Sequence, residues 1–125
     1  MISLAEVLYL HEQSIIHFGG SNGVRDEGLL ESAVERPHAT YGGEELYPTV
    51  YLKAAAILES IVKNHPFVDG NKRTGWLACI ATVRLFELKF SLTEEDAYNF
   101  VIKVASSHLE FEDISLFIEL HTIPI

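Results

Sequence analysis

The residues of this sequence that are best suited to chemistry lie in one ten-residue stretch, His65-Pro-Phe-Val-Asp-Gly-Asn-Lys-Arg-Thr74. It places a histidine, a carboxylate, a glycine, an amide and two cations between two strongly apolar segments, Val50–Val62 and Trp76–Leu88. Burying such polar groups without partners would cost roughly 2–7 kcal/mol for each group. We therefore expect this cluster to line a site at which chemistry occurs.

The second half of the stretch has the composition of an anion-binding site. Asp69–Arg73 leads into an apolar helix, whose first amides lack intrahelical partners and lie at the positive end of the helix dipole. Gly70 allows the backbone to approach a phosphate closely, and Lys72 and Arg73 add positive charge. Asp69 would repel a phosphate directly, so its presence favours a divalent cation such as Mg²⁺ between the two groups.

A base, a metal ligand and an anion site together favour phosphoryl or nucleotidyl transfer. His65 precedes the site and could accept a proton from a hydroxyl nucleophile. Each residue also has a purely structural interpretation, with His65 and Asp69 as helix caps and with Lys72 and Arg73 as a solvated first turn. The stretch matches neither the phosphate-loop nor the dinucleotide-binding glycine pattern, so neither of these sites is predicted.

Length, charge and composition limit the class of protein. A chain of 125 residues with 48% hydrophobic residues predicts a single domain, 1–125, with a substantial core. The formal net charge of −9 disfavours nucleic-acid binding and suits a positively charged partner. The sequence shows no secretory signal and no apolar run of the roughly 20 residues that span a bilayer. The single cysteine, Cys79, is interpreted as a small buried hydrophobe in a cytoplasmic protein.

Apolar residues at helical spacing predict an all-α fold, a compact bundle of about six helices. The helix after the motif is apolar on nearly every side and is predicted to be the buried central helix. His38–Glu45, with paired glycines, is predicted to be a surface loop or a mobile flap near the site. His11 and His17 face different sides of the first helix, and His11 is interpreted as structural or solvated. The predicted helices span residues 4–18, 27–35, 48–64, 71–87, 93–107 and 113–121.

The stretch His65–Arg73 resembles the signature of the Fic/Doc superfamily, and most closely that of its Doc branch, the death-on-curing toxins of bacterial toxin–antitoxin pairs. Fic proteins have glycine at the position of Lys72, whereas Doc proteins have lysine there. The resemblance implies a compact helical bundle in which the motif loop precedes a central helix. It also covers the chain length, the helix before the motif, Gly19-Gly20 and Arg25–Pro37.

The resemblance implies a role for each matching residue. His65 would be the general base and Asp69 the Mg²⁺ ligand. Lys63 stands where a Doc relative has arginine, so it keeps the charge without the guanidinium geometry. Substitutions at His17, Trp76 and Leu77 also depart from the family pattern, which implies a difference in phosphate affinity or substrate contacts. The residues implied to bind ATP, in the anion hole or through the phosphates, are Gly70, Asn71, Lys72, Arg73 and Lys63.

The Doc resemblance implies an enzyme that requires ATP and Mg²⁺. Because the lysine is associated with γ-phosphate transfer, it would be a Ser/Thr protein kinase that modifies a translation factor such as elongation factor Tu and arrests translation. The Fic alternative, transfer of AMP or another nucleotide-derived group to a protein hydroxyl, remains open, as does a non-catalytic binding module. A metal-dependent hydrolase is less well supported, because only one histidine and one carboxylate lie close together.

Inhibition of such a toxin is expected to come from a second protein. Some Fic proteins carry an inhibitory helix with Ser or Thr, three residues, then Glu followed by Gly or Asn. Thr40 to Glu44 has that spacing but is followed by Glu45. The expected partner is a Phd-like antitoxin whose flexible C-terminal segment lies in a hydrophobic groove of the bundle.

Overall fold

Capping residues set the first turns of most helices in the computed structural model, which describes the whole chain, Met1–Ile125. Ser3 and Glu6 form a capping box at the first helix. The side chains of Asp26, Thr49 and Thr93 each accept a backbone hydrogen bond at the start of a later helix. The α-helices are α1 Leu4–Phe18, α2 Glu27–Glu35, α3 Val50–Asn64, α4 Asn71–Leu85, α5 Glu94–Ala105 and α6 Phe111–Leu120.

Short elements connect the helices. A 3-10 turn, Arg36–His38, follows α2. Two antiparallel pairs of very short strands follow, and the second joins the end of α4 to the C-terminus. These strands are too short to change the fold class, so the predicted all-α bundle of about six helices is confirmed. The strands are β1 Thr40–Tyr41 with β2 Glu44–Glu45, and β3 Leu88–Phe90 with β4 Thr122–Pro124.

The most deeply buried helix is α3, which has nine buried residues within Lys53–Val62. It packs against α2, α4, α5 and α6. Two apolar clusters lie on different faces of α3: one contains Leu58 and Phe100, and the other contains Ile57 and Phe67. The helix before the motif is therefore the scaffold on which both halves of the core assemble.

The helix after the motif, α4, is buried along one face and not on nearly every side as predicted. Ile80 is only partly buried and Leu85 is 54% exposed. The reason is that the neighbours of α4, which are α1, α3, α5 and β3, leave part of the helix surface uncovered. The buried stripe consists of Asn71, Thr74, Gly75, Ala78, Cys79, Thr82 and Val83.

Helix starts shift slightly from the predicted positions. Helix α3 begins at Val50, two residues after the predicted Pro48, because the Thr49 hydroxyl accepts the N–H of Leu52 and acts as the N-cap. Helix α6 begins at Phe111, two residues before the predicted Asp113. None of the helices combines the length and apolarity that crossing a membrane requires.

Candidate active site

The loop His65–Gly70 joins α3 to α4 and carries the motif. His65 is the C-cap of α3 in the left-handed conformation, with φ 51 and ψ 58, which costs about 1–2 kcal/mol for a residue other than glycine. Arg25, which is 40 residues earlier in the sequence, stabilises this strained turn through two hydrogen bonds. Its Nε donates to His65 O at 2.6 Å and its Nη2 donates to Asn64 O at 2.7 Å. The backbone of the histidine is therefore fixed by a residue from before α2.

The segment between α1 and α2 supports the loop further through backbone hydrogen bonds. The N–H groups of Arg25 and Asp26 both donate to Pro66 O, at 2.7 and 3.0 Å. Val68 N donates to Gly23 O at 3.0 Å. The motif loop thus pairs with another segment much as a strand would, and its shape does not depend on its own residues alone.

Asn71 closes the loop from inside. Its Oδ1 accepts the N–H of Phe67, and its Nδ2 donates to the carbonyl oxygen of Phe67, both at 3.0 Å. Asn71 is buried, with 8% of the residue exposed. Because the Asn71 amide group is used in this way, its contribution to an anion site would come from its backbone N–H.

The N-terminus of α4 is open to an anion. Gly70 is the N-cap, with φ 76 and ψ 20, and it has no side chain with which to cap the helix. The first three N–H groups of α4, those of Asn71–Arg73, have no side-chain or loop acceptor. The side chain of Lys72 is exposed and makes no hydrogen bond or ion pair. Free amides, the helix dipole and a free ammonium therefore coincide at one place.

Asp69 is held beside this helix terminus by two backbone donors. Ser21 N donates to Asp69 Oδ2 at 3.1 Å, and Gly70 N donates to Asp69 Oδ1 at 2.8 Å. These bonds lower the pKa of the Asp69 carboxyl below its ordinary value, and the positive charge of Arg73 adds a smaller effect in the same direction. The exposed carboxylate is consequently ionised at neutral pH and can bind a cation.

The residues present fit Mg²⁺ held jointly by protein and nucleotide. Mg²⁺ is usually bound through one or two carboxylates together with substrate phosphates, and Asp69 supplies one carboxylate next to an anion site. No group of three or more His, Cys, Asp or Glu side chains is arranged to hold a metal by itself. Any Mg²⁺ bound at Asp69 would need its other ligands from phosphate oxygens and water.

Arg73 is anchored to the end of α1. Its Nε donates to Ser14 Oγ at 3.1 Å and its Nη2 donates to Gly19 O at 2.8 Å. The guanidinium carbon also lies 5.4 Å from the centroid of the Phe18 ring. This anchoring fixes the position of the charge and leaves part of the guanidinium available to a ligand.

Lys63 is placed differently from the other predicted site residues. Its Nζ lies 3.3 Å from Glu59 Oε2, and Glu59 is also paired with Arg36 at 2.9 Å. Lys63 does not line the cavity described next. A phosphate contact by Lys63 would require it to leave Glu59.

The remaining predicted site residues line a surface cavity of about 300 Å³. This volume is at the small end of the range for ligand sites. The β1–β2 hairpin, which the sequence suggested as a flap, contributes no lining residue. The side chain of His65 is exposed and makes no hydrogen bond within the protein, so its ring is free to meet a substrate hydroxyl. The lining residues are His65, Val68, Asp69, Gly70, Asn71, Lys72 and Arg73.

Sequence reasoning missed the residues that support the site from α1 and the following turn. His11 is 5% exposed, and its Nε2 lies 2.8 Å from Asp69 O. It has the structural role that the sequence suggested, but its contact with the motif was not predicted. Neither was the contact of Ser14 with Arg73. The family resemblance of Gly19-Gly20 and Arg25–Pro37 was the only signal that pointed to this region.

Comparison with known proteins identifies the family. The sequence model of the Fic/DOC family matches residues 1–83 of this chain. The chain is 57% identical over 63 residues to a protein named Toxin Doc from Mycolicibacterium smegmatis, which covers 50% of this chain and 48% of that protein. It is 31% identical over 83 residues to a protein named Protein kinase doc from Escherichia phage P1, which covers 66% of this chain and 65% of that protein.

The match to each curated relative is partial: the chain spans about half the length of the first and just under two thirds of the second. The family match nevertheless covers most of the chain and includes the whole motif. The chain belongs to the Fic/DOC family, which confirms the resemblance inferred from His65–Arg73.

Proposed function

We propose that this protein is a Doc-type toxin that transfers the γ-phosphate of ATP to a Ser or Thr hydroxyl of a translation factor and so arrests translation. Elongation factor Tu is the target that the resemblance implies. The observation that carries the proposal is Lys72, which is exposed and unpaired at the open N-terminus of α4 beside Asp69. The relatives named as a toxin and as a protein kinase support the same assignment.

In the proposed reaction His65 accepts the proton of the target hydroxyl. The hydroxyl oxygen forms a bond to the γ-phosphorus while the bond from that phosphorus to the bridging oxygen breaks, so the products are phosphoprotein and ADP. The free N–H groups of α4 and the ammonium of Lys72 stabilise the negative charge on the phosphates. Arg73, held by Ser14 and Gly19, presents a second cation in a fixed position. Mg²⁺ bound at Asp69 would neutralise phosphate charge.

The assignment of the phosphate contacts follows from which cations are free. Lys72 has no competing partner, whereas Lys63 is engaged with Glu59. Gly70 has no side chain, so a phosphate can approach the backbone closely at this position. We therefore assign the phosphates to Lys72, Arg73 and the helix amides, and we assign Lys63 only a longer-range attraction.

Transfer of AMP is the second candidate, because His65, Asp69 and the open helix terminus would serve either reaction. Incubation of the purified protein with Mg²⁺, the candidate target and ATP labelled at either the α or the γ position distinguishes the two. We expect the target to acquire label from the γ position only, and to acquire no label when His65→Ala replaces the wild-type protein. Label from the α position on the target would contradict the kinase proposal and support the Fic-type reaction.

A non-catalytic binding module is tested in cells. On the kinase proposal, expression of His65→Ala leaves growth unaffected, while expression of the wild-type chain stops it. If His65→Ala remained toxic at equal protein levels, toxicity would arise from binding and not from transfer.

Lys72→Gly tests the residue on which the choice of reaction depends. Removing the side chain frees space beside the amides and deletes a charge, so we expect γ-phosphate transfer to fall and transfer of the α-labelled group to appear. Lys103→Gly, a change at an exposed lysine of α5, serves as the control for losing a lysine side chain. Phosphate transfer alone by Lys72→Gly at the wild-type rate would show that Lys72 does not select the reaction.

We further propose that a Phd-like antitoxin inhibits the protein in trans, through a flexible C-terminal segment bound in a hydrophobic groove. The net charge of −9 suits a segment with basic residues. We propose a cytoplasmic location, which suits the proposed target and the use of ATP. We expect this antitoxin to be a small protein encoded beside the chain, so coexpression with it should restore growth. Failure of the two proteins to form a complex would contradict this part of the proposal.

A further inference from the structure

His11 is a buried histidine in contact with the motif loop, and the proposed reaction gives it no role. Its Nε2 lies 2.8 Å from Asp69 O. Because a carbonyl oxygen can only accept, Nε2 carries the hydrogen and donates it. The ring also stacks on Phe67, with centroids 3.8 Å apart and planes within 5°. Phe67 is 1% exposed, so the histidine ring is confined and its donor is directed at one carbonyl group.

The carbonyl that His11 binds belongs to the peptide between Asp69 and Gly70. The N–H of the same peptide is the Gly70 N–H that donates to Asp69 Oδ1 at 2.8 Å. A rotation of this single peptide plane by about half a turn would break both bonds at once. The hydrogen bond from His11 and the support of the Asp69 carboxylate are therefore coupled through one rigid unit.

Gly70 makes such a rotation sterically accessible. Its φ of 76 and ψ of 20 are those of the third residue of a type II turn, which requires positive φ (about +80° and 0° in the ideal turn). Rotation of the preceding peptide gives the type I turn, in which the same residue has negative φ. Glycine adopts both conformations about equally well, so Gly70 alone does not select the orientation that supports Asp69.

The far side of the carboxylate is held independently of His11. Ser21 N donates to Asp69 Oδ2 at 3.1 Å. A Cβ at Gly20 would lie only 2.7 Å from that oxygen, so the turn after α1 lies directly against the carboxylate. Loss of the Gly70 N–H would thus leave the carboxylate held at one oxygen only.

We propose that His11 is a positioning residue. Its hydrogen bond holds the Asp69–Gly70 peptide in the orientation that presents the Asp69 carboxylate to the cavity. The inference rests on the proposed function in one respect, namely that Asp69 binds Mg²⁺. His11 acts through the backbone and touches no substrate.

One pair of variants separates the effect of the hydrogen-bond donor from the effect of the aromatic ring. His11→Phe keeps an aromatic ring on Phe67 but has no donor, whereas His11→Gln has an N–H at similar reach without the ring. We expect His11→Phe to raise the Mg²⁺ concentration for half-maximal phosphate transfer about tenfold, the effect of one lost hydrogen bond, with an unchanged KM for the target. His11→Gln should restore most of the wild-type Mg²⁺ dependence. His108→Phe, at an exposed histidine after α5, is the control.

If His11→Phe does not fold, His11→Asn replaces it, because its amide is one methylene shorter than that of glutamine and does not reach Asp69 O. Equal Mg²⁺ dependence in the donor-deficient variant and the wild type would overturn the proposal. So would an equal loss in the donor-deficient variant and in His11→Gln, since that result would show that only the packing of the ring matters.

A second measurement does not depend on the proposed function. In the protein without nucleotide or metal, the Gly70 amide proton should exchange slowly with solvent, because it is bonded to a carboxylate. We expect its exchange to become at least about tenfold faster in His11→Phe and to stay near wild type in His11→Gln. An unchanged exchange rate of the Gly70 amide in His11→Phe would overturn the proposal that His11 positions this peptide. Absence of phosphate transfer by the wild type would instead overturn the proposed function and leave this result intact.

Discussion

Within the motif, some side chains hold the loop and others are left free for a ligand. Asn71 is committed to Phe67, and Arg73 is anchored to the end of α1. His65 and Lys72 make no side-chain hydrogen bond within the protein. The residues with fixed partners set the shape of the site, and the free histidine and lysine are the ones proposed to meet the substrate and the phosphates.

Asp69 should titrate at lower pH than an ordinary aspartate. Backbone bonds from Ser21 and Gly70 favour the ionised form and lower its pKa from 3.8. The stability that these bonds contribute is fully present above the ordinary pKa and is lost as the pH falls through the lower folded value. We expect the carboxyl carbon resonance of Asp69 to titrate with a midpoint below 3.8. A midpoint at or above that value would contradict the bonding pattern.

Asn71→Ala should destabilise the protein by about 2–4 kcal/mol, because it removes two hydrogen bonds and leaves the buried N–H and carbonyl of Phe67 unpaired. Asn99→Ala, at an exposed position of α5, is the matched control and should change stability by less than about 0.5 kcal/mol. Denaturant unfolding of both variants measures the difference. Equal stability of the two would show that the contact to Phe67 is dispensable.

At the level of elements, the site depends on how closely α3 and α4 approach each other, since their ends bound the motif loop. The approach is close at Gly75, where an added Cβ would lie 2.6 Å from Val62 Cγ2 and 3.5 Å from Ile61 Cβ. Glycine is required here for lack of space, and its backbone is ordinary helix.

Gly75→Ala should therefore destabilise the protein by about 1–3 kcal/mol through overpacking, although alanine is the better helix former by about 1 kcal/mol. Adding Val62→Ala should recover part of the loss. Gly28→Ala in α2 is the control, because its nearest neighbour would be at 3.4 Å, and it should be neutral or stabilising. Thermal unfolding of the three variants measures the order of their stabilities. A Gly75→Ala variant as stable as the wild type would mean that the two helices move apart at little cost.

Elements with strong local signals were predictable from the sequence. The predicted helix starts at residues 4, 27 and 93 agree with the structure to within one residue, because Ser3, Asp26 and Thr93 cap these helices. The one-sided burial of α4 was not predictable, because apolar composition does not say which neighbours cover a helix. The contacts of His11 and Arg25 with the motif were missed for a related reason: they join segments far apart in the chain, and periodicity reports only local geometry.

For the whole molecule, the two apolar clusters that lie on α3 together include residues of every helix from α1 to α6. Cys79 lies in the cluster formed by α3, α4, α5 and α6 and is fully buried. Burial raises the pKa of its thiol, so the reactive thiolate is disfavoured in the folded protein. Because it is the only cysteine in the chain, its modification reports on exposure of this one buried position.

We expect Cys79 to react with a thiol reagent only when the core opens. Native protein at mildly alkaline pH should react at least about a hundredfold more slowly than protein in denaturant. Gly75→Ala should react faster than the wild type, by about tenfold for each 1.4 kcal/mol of stability that it loses. Prompt reaction of native wild type would show that the interface between α3 and α4 opens without global unfolding.

The long reach of the contacts around Asp69 and His65 has a consequence for how the protein becomes active. Arg25 contacts His65 across 40 residues, His11 contacts Asp69 across 58, and Ser14 contacts Arg73 across 59. The hairpin of α3 and α4 forms from sequence neighbours, whereas the contacts with the first quarter of the chain must close long loops and are slower to form. Refolding is therefore expected to build the scaffold before the site, so that the proposed activity returns only when α1 has docked.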